Sequence, residues 1–324
     1  MTSTQFYEPI KDELLIVEKK LSDLGQKVSA DAFQTLGELL GDVLEAPGKR
    51  TRPAITLLTS KFHPYSNEYP HIMATAVELL HIATLIHDDT VDNSDTRRGR
   101  ATISSTWGKD IAILLGDYVF ATSATFVCDT NNVRVIKRFS ETIMELSSGE
   151  LAEILDAYKW DLGREPYWKR IYNKTASLFC TSAESGAVLS GAPESDVQAL
   201  KQYGYNVGMA FQVIDDILDF SGTAEEFGKP VGNDLIQGTL TLPSIMLIEK
   251  YTDENPIADL FEKGGSKYLE RSIEMINNSS IIQESYSVAQ EFCDNAIKSI
   301  IHLPDSAYRE SLINLASYLM ERRA

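Results

Sequence analysis

The chain has 324 residues, of which 43% are hydrophobic and 24% charged, so it is long enough and apolar enough to bury a sizeable core. Forty-seven acidic residues against 30 basic ones give a formal charge of -17, which argues against the clustered basic surface of a nucleic-acid binder or of a protein held on an anionic membrane. Cys128, Cys180 and Cys293 form no close-spaced pair or metal-type motif and read as buried thiols of a reducing compartment, which points to the cytoplasm. The segment MTSTQFYEPIKDELL has no basic stretch leading into an apolar run, so no signal peptide is expected. Asp110 and Asp117 interrupt the most apolar stretch, so no membrane-spanning segment is expected either.

Apolar residues then recur at helical spacing along the chain. Leu14, Leu15, Val17, Leu21 and Leu24 share one face, and the pattern repeats over 31–43, 52–62 and 70–90. It continues over 110–128, 132–160, 165–190, 194–220, 239–251, 256–278, 281–302 and 305–322. Breaks fall at Pro47-Gly48, Pro64, Gly163, Gly191 to Pro193, Gly228 to Pro230, Gly264-Gly265 and Pro304. Alternating strand patterns of useful length are absent, so the expected fold is all-α. No composition shift marks a linker, so one domain over 1–324 is expected. The stretches 70–90 and 194–220 are apolar on more than one face, as central helices are.

Those two helices carry the same charged frame. LIHDDTVD places Asp88, Asp89 and Asp92, and VIDDILD places Asp215, Asp216 and Asp219, three and four residues apart and so on one helix face. Like charges at such spacings repel, and burying them unpaired costs more still, so a cation belongs beside each trio. Carboxylate oxygens favour a hard ion such as Mg2+, which keeps water and shares its other positions with phosphate oxygens. An acidic face in solvent would explain one such cluster; two in the same apolar frame are harder to explain that way.

Basic residues stand where phosphate would need them. GKRTRP offers Lys49, Arg50 and Arg52 in a Gly- and Pro-flanked turn, and Arg97-Arg98-Gly99 follows the first cluster with planar guanidinium groups suited to phosphate oxygens. His81 lies two helical turns before Asp88, and Gln212 precedes Asp215 by three, so both project toward a cluster.

With these motifs the chain resembles the trans-prenyltransferase family of isoprenyl diphosphate synthases, over about Gly48 to Pro243, in particular its medium- and long-chain branch. The resemblance implies a large bundle of roughly 10–13 helices around a central cavity, with both aspartate clusters holding three Mg2+ ions against an allylic diphosphate. It implies that Lys49, Arg52, His81 and Arg98 bind isopentenyl diphosphate, and that Arg97, Lys174 of YNKTASLF and Lys229 of GKPVGND bind diphosphate. Thr175 and Gln212 would stand near an allylic carbocation. Product length would be set by Ala83 and Thr84, small residues just before the first cluster, which leave room for roughly six to ten isoprene units. On a helical wheel, though, Ala83 turns away from the aspartates.

The sequence departs from the family pattern at Thr239 of QGTLTLP, where a lysine is common, at Glu153, where glutamine is common, and after RRGRAT, which lacks a proline. The resemblance further implies a homodimer joined through 110–128 and 132–160, with the catalytic subunit of a heteromeric synthase as an alternative. A shorter-chain geranylgeranyl or farnesyl diphosphate synthase is another alternative. A terpene cyclase also ionises diphosphates with Mg2+ but would leave Lys49, Arg52, His81 and Arg98 unexplained.

Overall fold

In the computed structural model the chain is described over residues 5–31, 34–63, 68–97, 99–221 and 230–321. Arg98 and Lys229, both expected to bind diphosphate, lie outside the described residues. The chain forms two compact units, one from Met1–Phe139, Ser182–Gln198 and Pro304–Ser311, the other from Ser140–Thr181, Ala199–Leu303 and Leu312–Ala324. Each is assembled from separate stretches, which is why no composition shift marks a boundary.

After a 3-10 turn at Gln5–Ile10 come α1 (Lys11–Asp31), α2 (Gln34–Leu44), α3 (Thr51–Thr59) and α4 (Glu68–Val91). A hairpin of β1 (Thr96–Arg97) and β2 (Arg100–Ala101) leads to α5 (Ile103–Trp107) and α6 (Lys109–Asp129). In this first unit α4 packs mainly on α6 and α3, burying Met73, Val77, Leu80 and Ala83 with Leu57, Leu58 and Val119. Each fully buried aliphatic side chain here contributes roughly 2 kcal/mol. Gly116 of α6 is what lets α4 lie so close at its carboxyl end: a Cβ there would stand 2.2 Å from the His87 imidazole.

The later elements are α7 (Val133–Asp156), α8 (Arg164–Ile171), a π-helical turn at Tyr172–Ala176, α9 (Ser177–Leu189) and α10 (Glu194–Ser221). They continue as α11 (Asn233–Ile236), α12 (Leu242–Lys250), α13 (Pro256–Lys263), α14 (Ser266–Asn277), α15 (Ile281–Ile300) and α16 (Ala307–Glu321). In the second unit Gly204 and Gly208 of α10 admit the backbone at Ala176 to Cys180; a Cβ on Gly208 would meet the Ala176 Cα at 2.5 Å. A Cβ on Gly149 of α7 would meet the Lys174 backbone nitrogen at 2.8 Å, so the π turn is held between two helices that approach it through glycine.

The fold is all-α, and among the described residues strand structure is confined to the short hairpin. Three local expectations are corrected. The helix expected over 165–190 is interrupted by the π turn, and that expected over 256–278 divides at Gly264 and Gly265, whose φ of +66° and +109° end α13 and free α14 to start anew. Cys128 is exposed, while Cys180 and Cys293 are buried. By length and composition α4 and α6 are each apolar enough to cross a membrane, despite Asp110 and Asp117; the α4 window is mostly buried, but that of α6 only 33%.

Candidate active site

In the first unit the sequence folds the basic turn back onto α4. Arg50 takes the left-handed conformation (φ 48°) at the start of α3, a strain of about 1 kcal/mol for a residue with a Cβ. Its guanidinium offsets this by donating to Glu78 at 2.7 Å and to the carbonyls of Leu44 and Ala46 at 3.3 Å. Glu78 is buried on α4, so Arg50 is the scaffold of the turn and its neighbours are left to face outward. Lys49 is exposed, and Arg52 is half-buried with Nη1 3.2 Å from His81 Nε2. A guanidinium only donates, so Nε2 is the acceptor in that contact.

The first aspartate trio closes α4. Asp88 is half-buried, Asp89 buried, and Asp92 exposed, its backbone N–H extending the helix to the Asp88 carbonyl at 2.8 Å. Arg97 Nε, at the start of the hairpin, reaches both oxygens of Asp89 at 2.8 and 2.9 Å. The turn in between is fastened by Ser94 N–H on Asp89 O at 2.9 Å and by Thr102 Oγ1 on Ser94 O at 2.7 Å. The arginine expected on phosphate thus sits on a carboxylate expected on metal. Ala83 is fully buried, and Thr84 spends its hydroxyl on the His81 carbonyl at 2.8 Å.

In the second unit the other trio lies on the last turns of α10. Asp215 is half-buried. Asp216 is buried, with Tyr167 Oη donating to one oxygen at 2.6 Å and Gln212 Nε2 to the other at 2.8 Å. Gln212 Oε1 in turn accepts the Thr175 hydroxyl at 2.6 Å. Asp219 accepts the backbone N–H groups of Asn233 and Asp234 at 3.1 and 3.2 Å, capping α11, while Gly232 N–H meets its carbonyl at 2.8 Å. Burial pushes the Asp216 carboxyl up to about 7, although the hydrogen bonds from Tyr167 and Gln212 and the charge of Arg170 pull it down.

Lys174 projects from the π turn between Glu153 at 2.6 Å and Glu150 at 3.0 Å. Burial alone would lower its pKa, but the two carboxylates outweigh that and hold it above the ordinary lysine value. Glu153 also lies 3.7 Å from buried Arg170, which donates to the Leu240 carbonyl. Thr239, where a lysine was looked for, bonds through its backbone to Asp234 O at 2.8 Å, and the TLP that follows starts α12, with Ser244 Oγ accepting from Thr241 N at 2.7 Å.

The first unit therefore gathers Arg52 with His81, and Asp88, Asp89 and Asp92 with Arg97. The second gathers Thr175, Gln212, Asp215 and Asp216, with Lys174 on the same turn as Thr175. The sequence reading missed Arg50 as a scaffold, Tyr167, and the Glu150 and Glu153 partners of Lys174. Glu78, one acid inside the apolar run ATAVELLHIA, was a usable signal that a cation must come to meet it. Tyr167 carried none.

Among the described residues no three His, Cys, Asp or Glu side chains converge into a ready-made cage. The donor set still fits Mg2+, which takes one or two carboxylates at a time and fills the rest of its octahedron with water and phosphate oxygens. Of the six aspartates, Asp89 and Asp216 are buried, whereas Asp88, Asp92, Asp215 and Asp219 are not.

Residues 33–276 match the family model described as polyprenyl synthetase. The chain is 37% identical over 316 residues to heptaprenyl diphosphate synthase component 2 of Geobacillus stearothermophilus, covering 98% of each chain. Among solved structures, it is similar to a decaprenyl diphosphate synthase from Rhodobacter capsulatus, with a TM-score of 0.92, 31% identity and 100% of both chains covered. It is also similar to heptaprenyl diphosphate synthase from Staphylococcus aureus, with a TM-score of 0.91 and 35% identity over 97% of this chain and 98% of that one.

Proposed function

Because this chain belongs to the polyprenyl synthetase family and is a prenyltransferase, we propose that it joins isopentenyl diphosphate to an allylic diphosphate, farnesyl or geranylgeranyl, and repeats the step to an all-trans product of roughly six to ten isoprene units. The observation that carries this is the placement of two guanidinium groups in the first unit: Arg97 on the Asp89 carboxylate, and Arg52 on the imidazole of His81, seven residues before Asp88. Phosphate and metal chemistry need that mixture in one place.

In each step the allylic C–O bond breaks with its electron pair leaving on diphosphate, the double bond of isopentenyl diphosphate attacks the cation, and loss of a proton restores an allylic diphosphate. Asp88 and Asp92 of the first unit and Asp215 of the second would hold Mg2+, which would supply positive charge for the leaving diphosphate. Arg97 and Lys174 grip the allylic diphosphate, with Lys229 and, at the second substrate, Lys49, Arg52, His81 and Arg98 in the corresponding roles. The raised pKa of Lys174 keeps it cationic throughout the physiological range. Asp89, Asp216 and Asp219 also orient their neighbours, each accepting hydrogen bonds from the protein. Thr175 and Gln212 turn oxygen atoms toward the cation.

Product length is set on the buried side of α4. Leu79, one turn before Ala83, lines a small apolar groove with Leu40, Leu44, Tyr118 and Val119 of the first unit, and the small side chains of Ala83 and Thr84 would give a long tail room to pass. Names of similar solved structures span geranylgeranyl to decaprenyl, while curated relatives named by their product run from heptaprenyl to nonaprenyl at 33 to 37% identity, which supports the longer range. Farnesyl diphosphate, isopentenyl diphosphate and Mg2+ supplied to the purified chain, followed by sizing of the product, test the reading. A product no longer than geranylgeranyl diphosphate would sink the long-chain claim, and A83F is expected to shorten whatever product forms.

The chain acts as a cytoplasmic homodimer. Ile113, Leu114 and Tyr118 of α6 are exposed, as are Met144, Leu151 and Leu155 of α7, and such apolar area calls for a cover. A heteromer is the second reading, favoured by the component 2 name of a similar protein. Transfer by the purified chain alone would decide against it.

A further inference from the structure

The frame of the second cluster counts Asp216 among the metal ligands, but its surroundings give it different work. We propose that Asp216 and Tyr167 are positioning residues that fix which end of the Gln212 amide and which side of the Thr175 hydroxyl meet the reacting cation. The proposal rests on the prenyl-transfer reading above and adds two residues to it.

Tyr167 is 1% exposed and Asp216 is 2% exposed, and they meet at 2.6 Å. The second Asp216 oxygen lies 2.8 Å from Gln212 Nε2. Both Asp216 oxygens thus accept, one from a hydroxyl and one from an amide N–H. Facing such a group, the Gln212 amide must present its nitrogen, and its carbonyl is thereby turned the other way. There it takes the Thr175 proton at 2.6 Å. A hydroxyl has one proton, so with that proton committed Thr175 offers only lone pairs to anything else near it.

The donor directions therefore run from Thr175 to Gln212 to Asp216 and from Tyr167 to Asp216. Both polar groups then have lone pairs and no proton to offer a neighbour on that side, as the cation of the functional reading requires and an anion would not. Tyr167 is itself fixed, with the Trp168 ring centroid 4.8 Å away and the Arg170 guanidinium 5.7 Å from its own ring. Its hydroxyl is the one part of the side chain that the relay needs.

A double-mutant cycle separates this role from packing and from metal binding. Y167F keeps the ring and removes the hydroxyl; the cycle pairs it with Q212A, using farnesyl diphosphate, isopentenyl diphosphate and Mg2+. The expected result is a kcat about 10- to 100-fold lower for Y167F, with KM for both substrates and the Mg2+ requirement within about twofold of wild type, and little further loss when Y167F is added to Q212A. D216N should behave alike in the same cycle, which keeps the test open if Y167F folds poorly.

Losses that multiply on the Q212A background would overturn the relay. So would a Y167F enzyme with unchanged kcat. A D216N enzyme whose Mg2+ requirement rises by more than about tenfold, with Y167F unaffected, would make Asp216 a metal ligand and overturn it too. If the wild-type chain transfers no prenyl group at all, the functional reading fails; if it does and the cycle is additive, only this inference fails.

Discussion

The two aspartate clusters share one sequence frame and live in opposite environments. In the first unit the trio closes a helix, its last member stands in solvent, and its middle member is neutralised by a charged partner, Arg97. In the second the trio sits on a buried helix, its last member caps α11, and its middle member is held by the neutral donors Tyr167 and Gln212. In both, the protein uses the middle carboxylate for itself. A repeated motif is thus not a repeated environment: a charged donor meets the middle carboxylate in one copy and neutral donors meet it in the other.

That contrast can be broken in three ways. The largest effect should come from the carboxylates assigned to the metal: chelation of divalent ions should abolish transfer, and D88A and D215A should each lower kcat/KM by about 10³-fold, measured by incorporation of labelled isopentenyl diphosphate. Equal small losses at all six aspartates would remove the distinction. A middling effect is expected at the charged partner: R97K keeps the charge but not the planar fork, and should cost about 10- to 100-fold in activity. Wild-type activity in R97K would show that Arg97 serves only to hold the turn.

The smallest effect concerns stability. Because burial raises the Asp216 pKa to about 7 from the ordinary 3.8, the folded chain binds that proton more tightly than the unfolded one. Its contribution is therefore fully present below about pH 4 and lost as pH rises through about 7. D216N should accordingly melt a few degrees higher than wild type at pH 8, relative to the difference at pH 4.5, in metal-free buffer followed by circular dichroism. A gap independent of pH would mean the carboxylate is not buried as a charge.

Much of this was legible in advance, because helices advertise themselves by period and carboxylates by spacing. The stretch 70–90 became Glu68–Val91, 110–128 became Lys109–Asp129, and 194–220 became Glu194–Ser221. The trios followed from the same arithmetic, whereas Arg52 and His81 were linked only by the shared substrate that the resemblance implies. What could not be read were pairings between elements far apart in the chain. Tyr167 meets Asp216 across 49 residues and Arg170 meets Leu240 across 70, and neither has a local pattern to announce it. The π turn was equally silent, since its composition is that of an ordinary helix.

That turn also bears on the phase of the helix it interrupts. At about 100° per residue a plain α-helix would set Tyr167 and Thr175 roughly 80° apart, too far round to serve the same turn of a neighbour. A π turn advances only about 80° per residue, and its span over Tyr172–Ala176 brings the pair to within roughly 30° of each other. One residue more than the helix needs is stored there. Without that surplus the chain would keep its helix and its contacts along it, but a different side chain would arrive opposite Gln212.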